Sequence, residues 1–472
     1  MNIVQFFIPE LILVATIVIA TLIDAAKIFR ARRITLLAVL FSIFALYLYQ
    51  SNFAGIDESI LSNYSYFNLL FNKKIHDAKL IILLFSAIMF MTIYGYHYIN
   101  SQKLQFEYIL VVLISVLASL IAVMVKDLLT LVITMEIQML GSYILTSMQH
   151  KNIEARAAAI KYFILGTVVT CFMLFGMSLI YGFAGSIEYE KIKLAAVNHK
   201  SAGLALGIIL VIMGLMFKLG AAPLHFWIAD VYQGTNILTI TFFTLLSKIS
   251  TFVVLWNLLE FCMPLDQKLI TGIIMFFAVA SIIIGAIGGL GQFYLKRLLA
   301  YSSIFNIGFA MLPLIVFNEN SWEISIKYLV IYALTSTAFL LLMLSMDRKN
   351  VELMSLQSIS GLGFKYKYSS IALTITLISL IGIPPIAGFF VKYDVISHIL
   401  EYDYYNLTIF AIMATVVASA YYLQIIKALY FSNEFNKNAK YYMAPIHGVL
   451  IVSIVVFISF YTLSSSYFIN SL

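Results

Sequence analysis

Five charged side chains lie inside stretches of the chain that are otherwise apolar: Glu136, Lys161, Lys218, Lys248 and Lys392. On the insertion scale, a charged group at the centre of a bilayer costs about 2.5–3.5 kcal/mol. Such groups persist where they are paired, hydrated or used. Because carboxylates and amines exchange protons with water, this set predicts a path for protons through a low-dielectric interior.

Glu136 is expected about ten residues into helix five, and Lys161 a similar distance past the turn near His150–Asn152, on the neighbouring antiparallel helix. At 1.5 Å per residue they reach similar depth, so an ion pair between them is expected. Two interpretations stay open. The pair is an electrostatic switch, because a desolvated lysine separated from its acid holds its proton less strongly, or it is a static structural ion pair.

Two apolar spans contain proline. Residues 218–234 read KLGAAPLHFWIADVYQG and residues 382–392 read GIPPIAGFFVK. Proline removes a backbone donor and clashes with the preceding turn, so each span should be a broken helix. Lys218 precedes the first break and Lys392 follows the second.

Lys248 is expected midway along the helix after the first break, where it would exchange protons with Lys218. His225 lies in the break and is either a relay between these lysines or a hydrogen-bonded core residue. Asp230 is interpreted as an anchor for the short half-helix. Asp394 is interpreted as a solvated acid near the membrane interface.

Composition places these residues in a membrane protein. Of 472 residues, 62% are hydrophobic and 11% are charged, and the mean hydropathy is +0.99. Soluble domains are about 25% charged. At about 20 residues per span, the apolar stretches predict an all-α polytopic protein in a lipid bilayer, with about 14 transmembrane helices.

The net charge of +7 comes from basic residues scattered through short loops, so no nucleic-acid partner is expected. Loops after odd-numbered predicted helices contain more Lys and Arg than loops after even-numbered ones. The first such loop contains Lys27, Arg30, Arg32 and Arg33. The positive-inside rule then places both termini away from the cytoplasm.

The two breaks belong to blocks of about five helices each, which suggests two inverted five-helix repeats with helices 7 and 12 broken. The predicted divisions are an N-terminal three-helix segment at 1–100, repeats at 106–260 and 268–430, and a C-terminal helix at 446–472. Cys171 and Cys262 cannot ligate a four-thiolate cluster, and no dinucleotide or phosphate-binding loop occurs. No cofactor is therefore expected in this chain.

The two proline segments, together with LLTLVITME at 128–136 and KRLLAYSS at 296–303, resemble the antiporter-like membrane subunits of proton-pumping NADH–quinone oxidoreductase, complex I. That family is similar to subunits of multi-subunit sodium/proton antiporters. The resemblance implies proton-translocation roles for the five charged residues above. It also implies a bacterial inner membrane, other complex I membrane subunits as partners, and NADH, FMN, iron–sulfur clusters and quinone in those partners.

Within the family, the chain is most similar to the branch that ends after helix fourteen, and Lys392 stands where another branch typically carries Glu. Three departures occur. Ala229 replaces a common Pro, a second common Pro is absent near 235–236, and Asn306 stands where His is common. Asn does not titrate, so water or a tyrosine would have to replace it in a relay.

Two alternatives remain open from the sequence. One is a subunit of a sodium/proton antiporter, which would work without redox coupling. The other is a non-pumping scaffold whose buried lysines only hold helices together.

Overall fold

The computed structural model describes residues 7–27, 31–53, 73–99, 104–148, 153–198, 201–263, 266–346, 355–431 and 443–461. The described residues are mainly helical. Their principal helices are α1 (Ile8–Ala25), α2 (Ala31–Phe53), α3 (Lys73–Ile99), α4 (Phe106–Val123), α5 (Leu128–Ser147), α6 (Ile153–Ala184), α7 (Tyr189–Asn198), α8 (Ala202–Leu219), α9 (Ile228–Gly234), α10 (Ile237–Cys262), α11 (Gln267–Gly289), α12 (Leu295–Met311), α13 (Glu319–Met346), α14 (Lys367–Ile381), α15 (Ala387–Glu401), α16 (Tyr405–Phe431) and α17 (Pro445–Ser459).

Local signals fix several helix starts. Pro9 and Pro445 occupy the first turns of α1 and α17, where a missing N–H costs nothing. Asp127 caps α5 by accepting a hydrogen bond of 2.7 Å from the Thr130 N–H. Asp266 caps α11 in the same way through Leu269.

Twelve helices in the described part of the chain are long and apolar enough to cross a membrane. Two further apolar helices, α14 and α17, are shorter. The predicted all-α polytopic class is therefore confirmed, whereas the count of fourteen crossings, the inverted repeats and the predicted domain divisions stay predictions. The helix α7 was not predicted from the sequence.

The helices group into two compact units. The first contains Met1–Met148, Phe163–Leu215 and Phe242–Leu265. Within it, α2 packs along α3 and α4 packs along α5. The second contains Gln149–Tyr162, Met216–Thr241 and Asp266–Leu472, and its most extensive helix contact joins α11 to α12.

Both predicted helix breaks are present. The helix α8 ends at Leu219 and is followed by Gly220 with φ +75°, and α14 ends at Ile381 and is followed by Gly382 with φ +87°. Glycine is the residue that adopts this left-handed conformation without a steric penalty. The chain resumes as the short helices α9 and α15.

Side chains satisfy backbone groups freed at the first break. The Trp227 indole N–H donates to the Phe217 carbonyl at 3.0 Å. The Ala222 N–H donates to Ser281 Oγ at 2.8 Å. Irregular backbone at membrane depth requires such internal partners.

A third irregularity was not predicted. Residues Phe243–Ser247 of α10 form a π-helical turn, and Lys248 follows it directly. Hydroxyl groups hold the carbonyls of this turn: Ser250 donates to Leu246 O at 2.8 Å and Thr251 to Ser247 O at 2.7 Å. Such turns widen a helix locally and are frequent at functional sites.

The crossing of α14 and α15 depends on Gly388. A Cβ added there would lie 1.8 Å from the Ser379 carbonyl oxygen. Gly388→Ala should therefore force the two half-helices apart and lower stability by about 1–3 kcal/mol. Thermal unfolding of the purified protein measures this. Gly272→Ala is the matched control, since a Cβ there meets nothing within 4 Å; equal stability of the two variants would contradict the tight crossing.

Candidate functional site

Lys218 and Lys392 are each associated with the C-terminal end of a half-helix. Lys218 occupies the last turn of α8 and is 4% exposed. Lys392 extends back from α15, and its Nζ donates to the Leu380 and Ile381 carbonyls that end α14, at 2.8 and 2.9 Å. The carbonyl end of a helix carries partial negative charge, so both positions favour an ammonium group.

Lys392 also lines a small cavity. The side chain is 7% exposed. The cavity has a volume of about 10 Å³, enough for about one water molecule, and its polar lining includes Asn306, Tyr328, Thr335 and Ser379. A single water there would lie among groups that donate and accept hydrogen bonds, beside a primary amine.

Asn306 belongs to a buried hydrogen-bonded network. It accepts a hydrogen bond of 2.6 Å from Tyr328 Oη and donates to the Ser302 carbonyl at 2.7 Å. Ser302 Oγ lies 2.5 Å from Tyr422 Oη. Of the two predicted substitutes at Asn306, water or a tyrosine, a tyrosine lies in hydrogen-bond contact, and its part in a relay stays a prediction.

Lys248 is 2% exposed and follows the π-helical turn of α10. Two residues on, Ser250 Oγ accepts a hydrogen bond of 2.7 Å from Gln138 Nε2, which also donates to Ser119 Oγ at 2.7 Å. Gln138 therefore ties α4, α5 and α10 together next to Lys248. Gln138 was not predicted from the sequence; the feature that could have identified it is a glutamine inside an apolar span.

Glu136 and Lys161 have partners that the sequence did not indicate. The Thr170 hydroxyl donates to Glu136 Oε1 at 2.6 Å. Lys161 forms its ion pair with Asp230. The predicted acid for Lys161 was Glu136; the structure supplies Asp230 because α9 runs beside the first turns of α6.

Asp230 is shared between two cations. Its Oδ1 lies 3.5 Å from the Arg297 guanidinium, and Arg297 also donates to Gln233 Oε1 at 3.1 Å. The neighbouring Lys296 donates to the Thr235 carbonyl at 2.7 Å. Both basic residues of the KRLLAYSS segment therefore hold α9, which supports the interpretation of Asp230 as an anchor.

A line of contacts joins this ion pair to the backbone beside Lys218. Tyr162, next to Lys161, stacks on Trp227 with ring centroids 4.3 Å apart. The indole of Trp227 donates to the carbonyl of Phe217, the residue before Lys218. These contacts connect the residue after Lys161 to the residue before Lys218.

His225 is partly exposed, and its Nδ1 lies 3.2 Å from the carbonyl of Pro223 in the same segment. Its role as a relay stays a prediction. Asp394 is partly buried on α15.

Comparison with known proteins identifies relatives of the whole chain. A family model described as NADH:quinone oxidoreductase/Mrp antiporter, TM, matches residues 125–418. The chain is 35% identical over 428 residues to NADH-quinone oxidoreductase subunit N of Rickettsia typhi, covering 90% of each chain. It is 38% identical over 360 residues to the protein of the same name from Orientia tsutsugamushi, covering 75% of each.

Solved structures show the same fold. A chain of respiratory complex I from Thermus thermophilus superposes with a TM-score of 0.77 at 23% identity, covering 97% of this chain and 98% of that one. A chain of the Mrp complex from Dietzia superposes with a TM-score of 0.76 at 15% identity, covering 98% and 95%.

The contribution of the shared Asp230 carboxylate to the stability of the protein can be tested with the variant Asp230→Asn. The change leaves Lys161 and Arg297 without their common counter-ion. Since the site is partly exposed, the free energy of unfolding should fall by about 1 kcal/mol, the lower end for a lost charged partner.

Thermal unfolding of the purified protein measures that loss. The control is Glu323→Gln, which removes the exposed Lys327–Glu323 pair of α13 and should change little. An unchanged midpoint for Asp230→Asn would show that the anchor contributes nothing.

Proposed function

Because the chain belongs to the NADH:quinone oxidoreductase/Mrp antiporter family of membrane proteins, we propose that it is subunit N of a respiratory NADH:quinone oxidoreductase and that it translocates protons. The subunit N of Rickettsia typhi matches it over 90% of both chains. The protein is a multi-pass inner-membrane component of a redox enzyme complex. The observation that carries the proton role is the burial of Lys218, Lys248 and Lys392, each at a helix end or directly after a π-helical turn.

In the proposed mechanism, redox work in other subunits shifts the charges at Glu136 and Lys161. Protons then pass by way of Lys218, His225 and Lys248 to Lys392. The Thr170–Glu136 hydrogen bond and the Lys161–Asp230 pair are the contacts that such a shift would break or remake. The chain breaks no covalent bond, so electrostatics and water are its means of transport.

At the exit, the proposed carrier is the Lys392 ammonium. In its charged form it donates to the α14 carbonyls, which stabilise it. Loss of its proton to the neighbouring cavity water would weaken those bonds. Binding and release of the proton at the Lys392 amine would therefore change the position of the Lys392 side chain.

The proposal includes fourteen crossings and two inverted repeats. Backbone bridges support the repeats: Asp127 pairs with Glu188 and Tyr294 with Ser355, and the same number of residues separates Asp127 from Tyr294 as separates Glu188 from Ser355. The two breaks repeat at a similar separation, with Gly382 following Gly220 by five residues fewer than Tyr294 follows Asp127. Lys392 follows Gly382 by as many residues as Asp230 follows Gly220.

The proposed partners are other membrane subunits of the complex. In this chain alone, the side chains of Lys161 and Asp230 are 44% and 37% exposed. Charged groups facing hydrocarbon are costly. A polar partner surface or a water-filled interface therefore has to cover this ion pair. NADH, FMN, iron–sulfur clusters and quinone are assigned to partner subunits, and none to this chain.

The runner-up is a subunit of a sodium/proton antiporter, since the matching family model covers NADH:quinone oxidoreductase and Mrp antiporter proteins together. Gentle purification from native membranes distinguishes the two. Iron–sulfur and quinone-site subunits should accompany the chain if the proposal is right, whereas cation/proton antiporter subunits alone would overturn it. Neighbouring genes give the same discrimination.

The scaffold alternative is tested at Lys392. Lys392→Arg keeps the positive charge at the end of α14, but arginine does not release its proton at physiological pH. The protons translocated per electron should fall while the complex still assembles. The measurement is a proton-gradient assay in membrane vesicles, with NADH oxidation recorded in parallel.

Lys392→Ala and Lys218→Ala should give the same loss, and Lys191→Ala, at an exposed lysine of α7, is the control. If the variants assemble and pump as well as the unmodified chain, the lysines serve only to hold helices together.

A further inference from the structure

A buried ion pair lies outside the proposed proton path. Glu10 on α1 and Lys79 on α3 are joined by a distance of 2.8 Å between Oε1 and Nζ. Their side chains are 8% and 0% exposed. Both residues precede the region 125–418 that the family model covers. Neither was expected from the sequence, since Lys79 falls at the boundary of an apolar span.

Two titratable rings lie next to the pair. The Lys79 ammonium is 5.5 Å from the centre of the Tyr49 ring, and Tyr49 lies against His76 with ring centroids 4.9 Å apart. His76 belongs to the first turn of α3 and is partly exposed, whereas Tyr49 is fully buried. The groups therefore run from the surface of the bundle inward to Glu10 and Lys79.

A purely structural role for the Glu10–Lys79 ion pair does not explain its surroundings. Apart from the Lys79 ion pair, neither Glu10 oxygen has a hydrogen-bond partner among the described residues. A buried ion pair with unfilled acceptor positions is often no more stabilising than apolar residues of the same volume. Ionisable groups inside a membrane usually persist because they are used, and a carboxylate with an unfilled lone pair can accept a proton.

We propose that Glu10 and Lys79 form a proton-exchange site in the N-terminal helices, separate from the chain of lysines. A hydronium ion reaching the pair through water gives its proton to the Glu10 carboxylate and leaves as water. The pair then changes from zero net charge to +1, and the reverse step releases the proton. Tyr49 and His76 lie on the route between the pair and the surface.

Within the described ranges, five groups act electrostatically on the pair and its two rings. They are Glu10 on α1, Tyr49 on α2, and His76, Asp77 and Lys79 on α3. On α4, which also packs against α1, Glu107 is exposed. The site therefore contains two carboxyl groups, and a carboxyl signal is assigned to one of them by comparing Glu10→Gln with Asp77→Asn.

The test is infrared difference spectroscopy of the purified complex between two pH values. The unmodified complex should show the C=O band of a protonated, buried carboxylic acid, shifted in D2O. Glu10→Gln should abolish it. Glu10→Asp should retain a band at a shifted position, which keeps the test valid where Glu10→Gln does not assemble.

The matched control is Lys74→Met with Glu260→Gln, which removes the more exposed ion pair between α3 and α10; it should leave the band in place. A spectrum unchanged by Glu10→Gln, or unaffected by Glu10→Asp, would overturn the site. This experiment records a protonation spectrum and not a pumping rate. A negative spectrum would therefore leave the proposed function intact, and unimpaired pumping by the Lys392 variants would leave the Glu10–Lys79 site intact.

Discussion

The structure depends on accommodating three lysine side chains in the buried interior of its apolar helices. The free energy of an isolated charge in hydrocarbon is prohibitive, so each lysine needs local compensation. At both breaks that compensation is a helix end. Lys218 ends α8, and Lys392 donates to the last carbonyls of α14. Lys248 follows a π-helical turn, where the regular backbone ladder is already opened. Irregular backbone and buried charge therefore occur together at three positions.

The break at Gly220 also explains why α9 is anchored so heavily. A seven-residue helix has little stability of its own. Asp230 binds Lys161 and lies near Arg297, Lys296 holds the Thr235 carbonyl, and Trp227 fastens the segment to Phe217. The same contacts that fix α9 extend to the residue before Lys218. Lys161 and the residue before Lys218 thus contact the same small structural element, and the proposed coupling between them would pass through it.

Much of the fold could be predicted because its signals are local. Apolar length located the spans, and proline beside glycine located both breaks. The burial of Lys218, Lys248 and Lys392 followed from their place in apolar stretches. The π-helical turn left no such signal, since PheThrLeuLeuSer at 243–247 is compatible with an α-helix.

Contacts between residues far apart in the sequence could not be predicted either. The choice of Asp230 over Glu136 as the acid for Lys161 depends on how α9 lies against α6. The Glu10–Lys79 pair joins helices separated by α2. Both follow from tertiary packing, which spacing along the chain does not encode.

One measurement bears most directly on the central claim: an experimental structure of the intact complex at a resolution that reveals ordered water. The account predicts water within hydrogen-bond distance of the Lys218, Lys248 and Lys392 ammonium groups. Dry, lipid-facing surroundings at those three side chains would contradict it.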